Sequence, residues 1–344
     1  MDLVTSSLMY SENGKCEIQA SILSSMDNLL RYLRSIFLFV GLITVITAPF
    51  VYWRLDNDIG SARFLTEQER LQGIERLRAN QTGTGNREFK MQHVVEAGLE
   101  IKSYLWIAMA MFLNIGASAQ NIFGPLILGG LGFDEYKTML LNMPFGALQF
   151  IMILLASYLV QKGRLKAPVL AAFMLPVIAG FAILFSVPRT GSSQGPLMAG
   201  YYLLSFLFGG NPLLVAWIVA NTGGQTKQSV TLSLYQASTS AGNIVGPLLF
   251  DEKDSPAYLP GLRACLGVFA AMGACVLFQW ANLFVLNKMQ EKKRVANGKS
   301  ARIVDQSMQN RYHDAEEEGA ENTVGNQAFM DLTDRENDEF VYLY

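Results

Sequence analysis

The segment "APVLAAFMLPVIAGFAILF", residues 167–185, runs for 19 residues without one polar side chain. A helix of about 20 apolar residues crosses a bilayer hydrocarbon core about 30 Å thick. Charged residues make up 16% of the chain, against roughly 25% in soluble domains. Runs of comparable length and apolar character occur at residues 35–53, 103–128, 138–160, 167–187, 196–221, 228–250 and 262–287. The sequence therefore predicts an all-α integral membrane protein with about seven transmembrane helices.

Lysine and arginine are distributed unevenly among the segments that connect these runs. Residues 54–102 are rich in both, and the connection that follows 138–160 adds Lys162, Arg164 and Lys166. Short loops rich in Lys and Arg stay in the cytoplasm, so the 54–102 loop and the C-terminal tail are predicted to be cytoplasmic. Seven spans would then leave the N-terminal arginines outside, and we expect further helices before residue 35.

No predicted span has Asp, Glu, Lys, Arg or His in its interior. Proton-coupled transport usually needs an ionisable group at membrane depth, and a cation helps to bind an anion. A transporter of this kind would therefore need charged groups from outside this chain. The absence of a His, Cys or carboxylate cluster at membrane depth argues against an enzyme, a metal site or a cofactor. The net charge of -2 gives no indication of a nucleic-acid partner.

The two charged segments carry local helix signals. In the 54–102 loop, Thr66 and Glu69 form a capping box before apolar residues at helical spacing, which predicts a short amphipathic helix. We interpret this helix as a solvated linker; the alternative is that it makes a regulatory contact. The tail, 288–344, is predicted to be mostly disordered because it is rich in charge. A second capping box, Thr333 and Glu336, supports one short turn near its end.

Amide and hydroxyl side chains recur at helical spacing in three of the spans. Lipid offers such groups no hydrogen-bond partner, so they tend to face other helices or a water-filled cavity. The three stripes are Asn114, Ser118 and Asn121; Ser229, Ser233, Gln236, Ser240 and Asn243; and, more weakly, Thr138, Asn142 and Gln149. We assign these spans to the interior of the bundle and the fully apolar run to a position against lipid.

The pattern Asn-Ile-x-Gly-Pro-Leu ends two of these spans, as "NIFGPL" at 121–126 and as "NIVGPL" at 243–248. A proline frees the backbone carbonyl four residues earlier, which in both copies belongs to the asparagine. Interrupted helices of this kind often bind substrate in transporters. The predicted helix breaks are Pro125, Pro247 and, within "GGNPLL" at 209–214, Pro212.

Polar side chains near these breaks are the candidate substrate-binding residues. They are Asn114, Ser118, Gln120, Asn121, Asn211, Gln236 and Asn243. Packing is the alternative for each of them, because an amide between membrane helices contributes only about 0.6 kcal/mol as an interhelical contact. That alternative is favoured for Asn243, since Gly242 and Gly246 form a GxxxG pattern that would pack against a half of the protein outside this chain. Asn121 is the stronger site candidate of the two motif copies.

Seven stretches carry a family resemblance by their content and their order. They are "SARFLTEQER" (61–70), "FKMQHVVEA" (89–97), "FGPLILGGLGFDEYKTMLLNMPFGALQ" (123–149), "ANTGGQTKQS" (220–229), "GNIVGPLLF" (242–250), "SPAYLPG" (255–261) and "DLTDRENDEF" (331–340). Together they resemble the fungal allantoate-permease-like transporters, the anion:cation symporter branch of the major facilitator superfamily. That family has twelve membrane helices in two six-helix halves.

The resemblance implies the domain organisation. It identifies 35–53 with the sixth helix, 54–102 with the central cytoplasmic loop, 103–287 with the C-terminal six-helix half and 288–344 with a cytoplasmic tail. Residues 1–34 are unmatched, and the first five helices have no counterpart. In such transporters the seventh and tenth helices line the cavity.

The resemblance also implies a function. The family transports small organic anions, such as allantoate, ureidosuccinate or vitamin-like carboxylates, by alternating access with proton coupling, and the plasma membrane is the expected location. The implied partners are the organic anion, a co-transported proton, the lipid bilayer and a missing N-terminal half. The alternative is a truncated half-transporter that inserts into the membrane but does not transport alone.

Overall fold

The computed structural model of the 344-residue chain describes residues 34–35, 37–56, 59–78, 88–129, 135–188, 193–255, 257–301, 327 and 330–344. Residues 1–33 of the N-terminal segment and 302–326 of the tail lie outside the described residues. Every regular element in the described part of the chain is a helix. The chain divides into two compact units, Met1–Gly73 and Ile74–Tyr344.

The first unit contains α1 (Phe37–Arg54) and the start of α2 (Glu67–Arg78). α1 is 18 residues long and none of its apolar window is buried, which is the surface of a helix that lies in lipid. At the start of α2, the Glu69 N–H donates to Thr66 Oγ1 at 3.4 Å, and the Glu69 carboxylate accepts the Thr66 N–H at 2.9 Å. The predicted capping box and its short helix are therefore confirmed.

The second unit is a helical bundle. Its helices, within the described residues, are α3 (Met91–Leu99), α4 (Ile101–Gly129), α5 (Glu135–Gly163), α6 (Lys166–Ser186), α7 (Gln194–Leu203), α8 (Gly210–Ala220), α9 (Gln225–Leu248) and α10 (Leu259–Ala296). A 3-10 helix, Leu204–Gly209, joins α7 to α8. The buried core includes Trp106 of α4 and Trp217 of α8, whose rings meet edge to face at 4.7 Å.

Five helices among the described residues are long and apolar enough to cross a membrane. They are α1, α5, α6, the interrupted α7–α8 pair and α10. The other two predicted spans are also helices, α4 with 29 residues and α9 with 24. At about 1.5 Å per residue both exceed 30 Å, but their amide and hydroxyl side chains lower their hydropathy. All seven predicted runs are thus helical, and the all-α membrane fold is confirmed.

α4 and α9 form the most extensively packed helix pair of the described part. Two glycines of α9 make this close approach possible. A Cβ atom on Gly242 would lie 2.6 Å from the Met111 carbonyl oxygen, and one on Gly246 would lie 2.6 Å from the Ile115 carbonyl oxygen. The GxxxG pattern therefore packs against α4 of this chain. The prediction that it packs against a half outside this chain is wrong.

The predicted proline breaks need correction. α4 continues past Pro125 to Gly129, so the helix is not interrupted there. Pro247 is the penultimate residue of α9 and marks its end. An interruption does lie beside Pro212, but it is the 3-10 helix that precedes α8. A proline removes only one backbone donor, and neighbouring groups in a bundle re-satisfy the freed carbonyl; Pro144 and Pro176 also lie inside continuous helices.

The last fifteen residues, 330–344, pack against one end of the bundle. This end, called the base below, carries the first residues of α4 and α9 and the last residues of α8 and α10. Asp334, Asn337, Phe340 and Tyr342 are all buried there. The tail therefore contains an ordered C-terminal segment, because the polar groups of 330–344 have partners on the base that local sequence does not reveal.

Candidate functional site

Polar side chains from three helices meet inside the bundle. Asn114 of α4 places its Nδ2 atom 3.3 Å from Asn211 Oδ1 of α8 and 3.3 Å from Thr239 Oγ1 of α9. Tyr235 of α9 donates its hydroxyl to the same Asn211 oxygen at 3.2 Å. The structure thus brings together two predicted candidates, Asn114 and Asn211, that are 97 residues apart. Their amides link α4, α8 and α9.

The second motif copy also finds a partner on α4. The backbone carbonyl of Asn243, which Pro247 frees, accepts the hydroxyl of Ser118 at 3.0 Å. The two residues lie 125 positions apart, and Ser118 is buried. This pairing satisfies the freed carbonyl within the chain and leaves the amide side chain of Asn243 on the exposed side of α9.

A second polar cluster surrounds a cavity of about 190 Å³ between α4, α5 and α7. Its lining residues are Gln120, Asn121, Asn142, Phe145, Gly146, Gln149 and Tyr201. Asn121 comes from the α4 stripe, Gln120 is the candidate next to it, and Asn142 and Gln149 come from the weaker α5 stripe. Gln120 lies 18 residues beyond Lys102 on α4, or about 27 Å along the helix from the base. None of the lining residues is charged.

The cavity wall is partly preorganised. Tyr201 donates its hydroxyl to Asn142 Oδ1 at 2.7 Å, and the rings of Tyr201 and Phe145 lie 4.8 Å apart. Gln120 is only 4% exposed, and its amide lies beside the Tyr201 hydroxyl. Apart from this Tyr201 hydroxyl, the Gln120 amide has no hydrogen-bond partner among the described residues. A buried amide of this kind is expected to bind water or a ligand.

α9 presents a polar stripe on its exposed side. The five residues of the predicted stripe, Ser229, Ser233, Gln236, Ser240 and Asn243, are all exposed. The hydroxyls of Ser233 and Ser240 donate to the carbonyls of Ser229 and Gln236, at 2.8 and 3.0 Å. Such bonding lets a serine face lipid, but the amides of Gln236 and Asn243 have more donors and acceptors than lipid can satisfy. This face is therefore suited to water or to protein.

The candidates separate into three groups by position. Gln120 and Asn121 line the cavity, Asn114, Asn211 and Ser118 connect helices, and Gln236 and Asn243 lie on the exposed stripe. Sequence reasoning missed Tyr201, Phe145, Tyr235 and Thr239. A buried tyrosine hydroxyl needs a partner, so tyrosines in an apolar span were a usable signal.

Comparison with known proteins shows the family. The family model described as Major Facilitator Superfamily matches residues 20–247, about two thirds of the chain. The chain belongs to the major facilitator superfamily. An integral membrane location follows from this membership together with the five apolar helices.

Similar proteins in the superfamily are fungal transporters. An MFS-type transporter of Penicillium expansum is 32% identical over 89% of this chain. A thiamine pathway transporter and allantoate permease, both of Saccharomyces cerevisiae, are 29% and 27% identical, each over 90% of the chain. The chain spans 58%, 54% and 54% of these three relatives. No solved structure matches the chain.

Proposed function

We propose that the chain is part of a transporter of the allantoate-permease-like branch, which carries a small organic anion by alternating access with proton coupling. Allantoate, ureidosuccinate and vitamin-like carboxylates are the proposed substrates. The observation that carries the proposal is the uncharged polar surface of the bundle: the cavity beside Gln120 and the exposed amides of α9. In a membrane bundle, such a surface is suited to a solute pathway.

The chemistry of the cavity indicates which part of a substrate it would bind. Gln120, Asn142 and Gln149 offer amide donors and acceptors, and Tyr201 and Phe145 offer ring faces. A planar ureido group has matching donors and acceptors, and allantoate contains two such groups. Because the lining has no cation, the carboxylate of the substrate would be neutralised by groups outside the described cavity.

Relatives support the same proposal. One of the reported relatives is named for allantoate, and another is named for the thiamine pathway; the first name supports the proposed substrate class. Since the chain spans about half of these relatives, an N-terminal half of the transporter would supply the opposite wall of the pathway. The Lys- and Arg-rich 54–102 loop supports a cytoplasmic position for that loop and for the C-terminus, and the plasma membrane is the proposed location.

The second candidate function is a half-transporter that inserts into the membrane and transports only with its missing partner. The exposed amides of Gln236 and Asn243 favour it, because no described part of the chain covers them. Proteoliposomes distinguish the two candidates through uptake of labelled allantoate under an inward proton gradient. They would hold the chain alone or with the N-terminal six-helix half of a related transporter.

Uptake by the chain alone supports an autonomous transporter, and uptake only with the added half supports the half-transporter.

Gln120→Leu should raise the apparent uptake constant about tenfold, because one or two hydrogen bonds are worth about 1.4 kcal/mol or more. Ser157→Ala is the matched control, since Ser157 is exposed on α5 and its hydroxyl bonds only its own helix. Absence of uptake in both preparations, or an unchanged constant for Gln120→Leu, would contradict the proposed site.

A further inference from the structure

A buried ion cluster lies at the base of the bundle, away from the cavity. Lys102 at the start of α4 and Lys227 at the start of α9 both contact the carboxylate of Asp334 in the C-terminal segment. Lys227 Nζ lies 2.9 Å from Asp334 Oδ1, and Lys102 Nζ donates to Asp334 Oδ2. The three side chains are at most 2% exposed. One carboxylate thus joins the first turns of two helices that carry the proposed solute surface.

Further groups complete the surroundings of Asp334. The Gly223 N–H donates to Asp334 Oδ1 at 3.1 Å, and the Tyr342 hydroxyl donates to Asp334 Oδ2 at 2.8 Å. Lys227 also contacts Glu96 and Glu100 at 2.7 and 2.8 Å. Burial alone would raise the pKa of Asp334, but the ammonium groups of Lys102 and Lys227 hold it below its usual range. The carboxylate is therefore ionised and fully hydrogen-bonded at neutral pH.

The end of the segment is recognised through its backbone. Asn221, after α8, accepts the Leu343 N–H at 2.7 Å and donates to the Leu343 carbonyl at 3.0 Å. Asn287 of α10 makes the same pair of bonds with Tyr342, at 2.8 and 2.7 Å. A side-chain amide that pairs with both backbone groups of one residue imitates a neighbouring β-strand. Capture of an extended peptide through its main chain is a common recognition mode.

Other base residues bind carbonyl oxygens of the same segment. The Trp217 Nε1–H donates to the Leu343 carbonyl at 2.8 Å, and Gln290 donates to the carbonyls of Asp334 and Asn337 at 2.6 and 3.1 Å. These donors come from α8 and α10. The groove therefore consists of groups on the folded bundle that face the main chain of a non-helical peptide.

We propose that the base of the bundle is a peptide-binding groove whose ligand is the C-terminal segment, 330–344. The Asp334 carboxylate anchors this ligand between Lys102 and Lys227, and Asn221 and Asn287 hold its extended end. The docked segment is a separable ligand that fixes the spacing of the first turns of α4 and α9. Its effect on transport rests on the proposed function, whereas its binding does not.

The test uses the full chain with a specific protease site inserted within residues 302–326. The protein is folded, purified in detergent and then cut, and the amount of C-terminal peptide that stays with the bundle is measured by size-exclusion chromatography. The native peptide should remain bound, and a synthetic 330–344 peptide should displace it. Asp334→Asn should weaken retention by about 100-fold, because it removes the carboxylate that both buried lysines share and leaves them only Glu96 and Glu100.

Asp251→Asn is the matched control, because Asp251 pairs with Lys253 on an exposed surface at 3.5 Å. It should retain the peptide as the parent does. If full-length Asp334→Asn does not fold, the same substitution in the synthetic peptide, offered to the cut parent bundle, gives the comparison. Immediate loss of the native peptide on cutting, or equal binding of the native and substituted peptides, would overturn the proposal. Neither result depends on uptake, so a failure of the proposed transport function is recognised separately.

Discussion

At the scale of single residues, the charge of Asp334 contributes to the stability of the docked C-terminal segment. Burial raises the pKa of Asp334, but the charges of Lys102 and Lys227 lower it by more than burial raises it. The folded pKa therefore lies below the usual range. A carboxyl group whose pKa is lower in the folded state stabilises that state above its unfolded pKa, about 3.9. The contribution is lost as the pH falls from there toward the folded value.

We therefore predict that retention of the cut C-terminal segment is constant from pH 7.5 to pH 5 and declines below about pH 4. Fluorescence anisotropy of a peptide labelled at its start measures this profile. Asp334→Asn is the control, because its weak binding should lack the part of the decline that comes from Asp334. A transition between pH 6 and 7 would contradict this assignment.

Individual polar residues differed in how far the sequence could predict them. The α4 and α9 stripes are periodic, so the sequence predicted that Asn121 shares a polar face on α4 and that Gln236 and Asn243 share one on α9. It placed the α9 stripe in the interior of the bundle, whereas the stripe lies on an exposed face. Asp334 and Lys227 are 107 positions apart, and the counter-ions of each lie in other segments of the sequence. Tertiary packing alone brings such residues together, and one sequence carries no record of it.

At the scale of elements, the α4–α9 contact depends on glycine. A methyl group on Gly246 would meet the backbone oxygen of Ile115 at 2.6 Å, and a backbone atom cannot move aside as a flexible side chain can. We predict that Gly246→Ala destabilises the protein by about 1–3 kcal/mol. Thermal unfolding in detergent measures the change.

Gly273→Ala on α10 is the matched substitution, because a Cβ atom there has nothing within 4 Å. It should be neutral or stabilise the helix by up to about 1 kcal/mol. Equal unfolding temperatures for the two variants would mean that α4 and α9 are not held together by this close contact.

Helix positions were predictable because the length of an apolar run is a local property. Helix interruptions were not, since a lone proline does not decide whether neighbours re-satisfy the freed carbonyl. Ser118 does so for Asn243, and α4 passes through Pro125 without interruption. The break before Pro212 is a 3-10 helix between α7 and α8, where two consecutive glycines precede the Asn-Pro pair.

At the scale of the whole molecule, the chain has the composition and helices of a superfamily member and about half the length of its relatives. Apolar helices such as α6 are stable in the membrane with one face packed against the bundle and the other face in lipid. α9 differs, because it is long enough to cross the membrane and carries the exposed amides of Gln236 and Asn243. The proposed transport function therefore requires that this stripe face a water-filled pathway.

Thiol labelling along α9 tests this requirement most directly. The three native cysteines are replaced by alanine, and Gln236→Cys is compared with Leu175→Cys, an exposed position at similar depth on the apolar helix α6. We predict that a charged, membrane-impermeant thiol reagent modifies the cysteine at 236 rapidly and the one at 175 hardly at all. Equal rates at the two positions, or protection of the cysteine at 236, would contradict a solute pathway along α9.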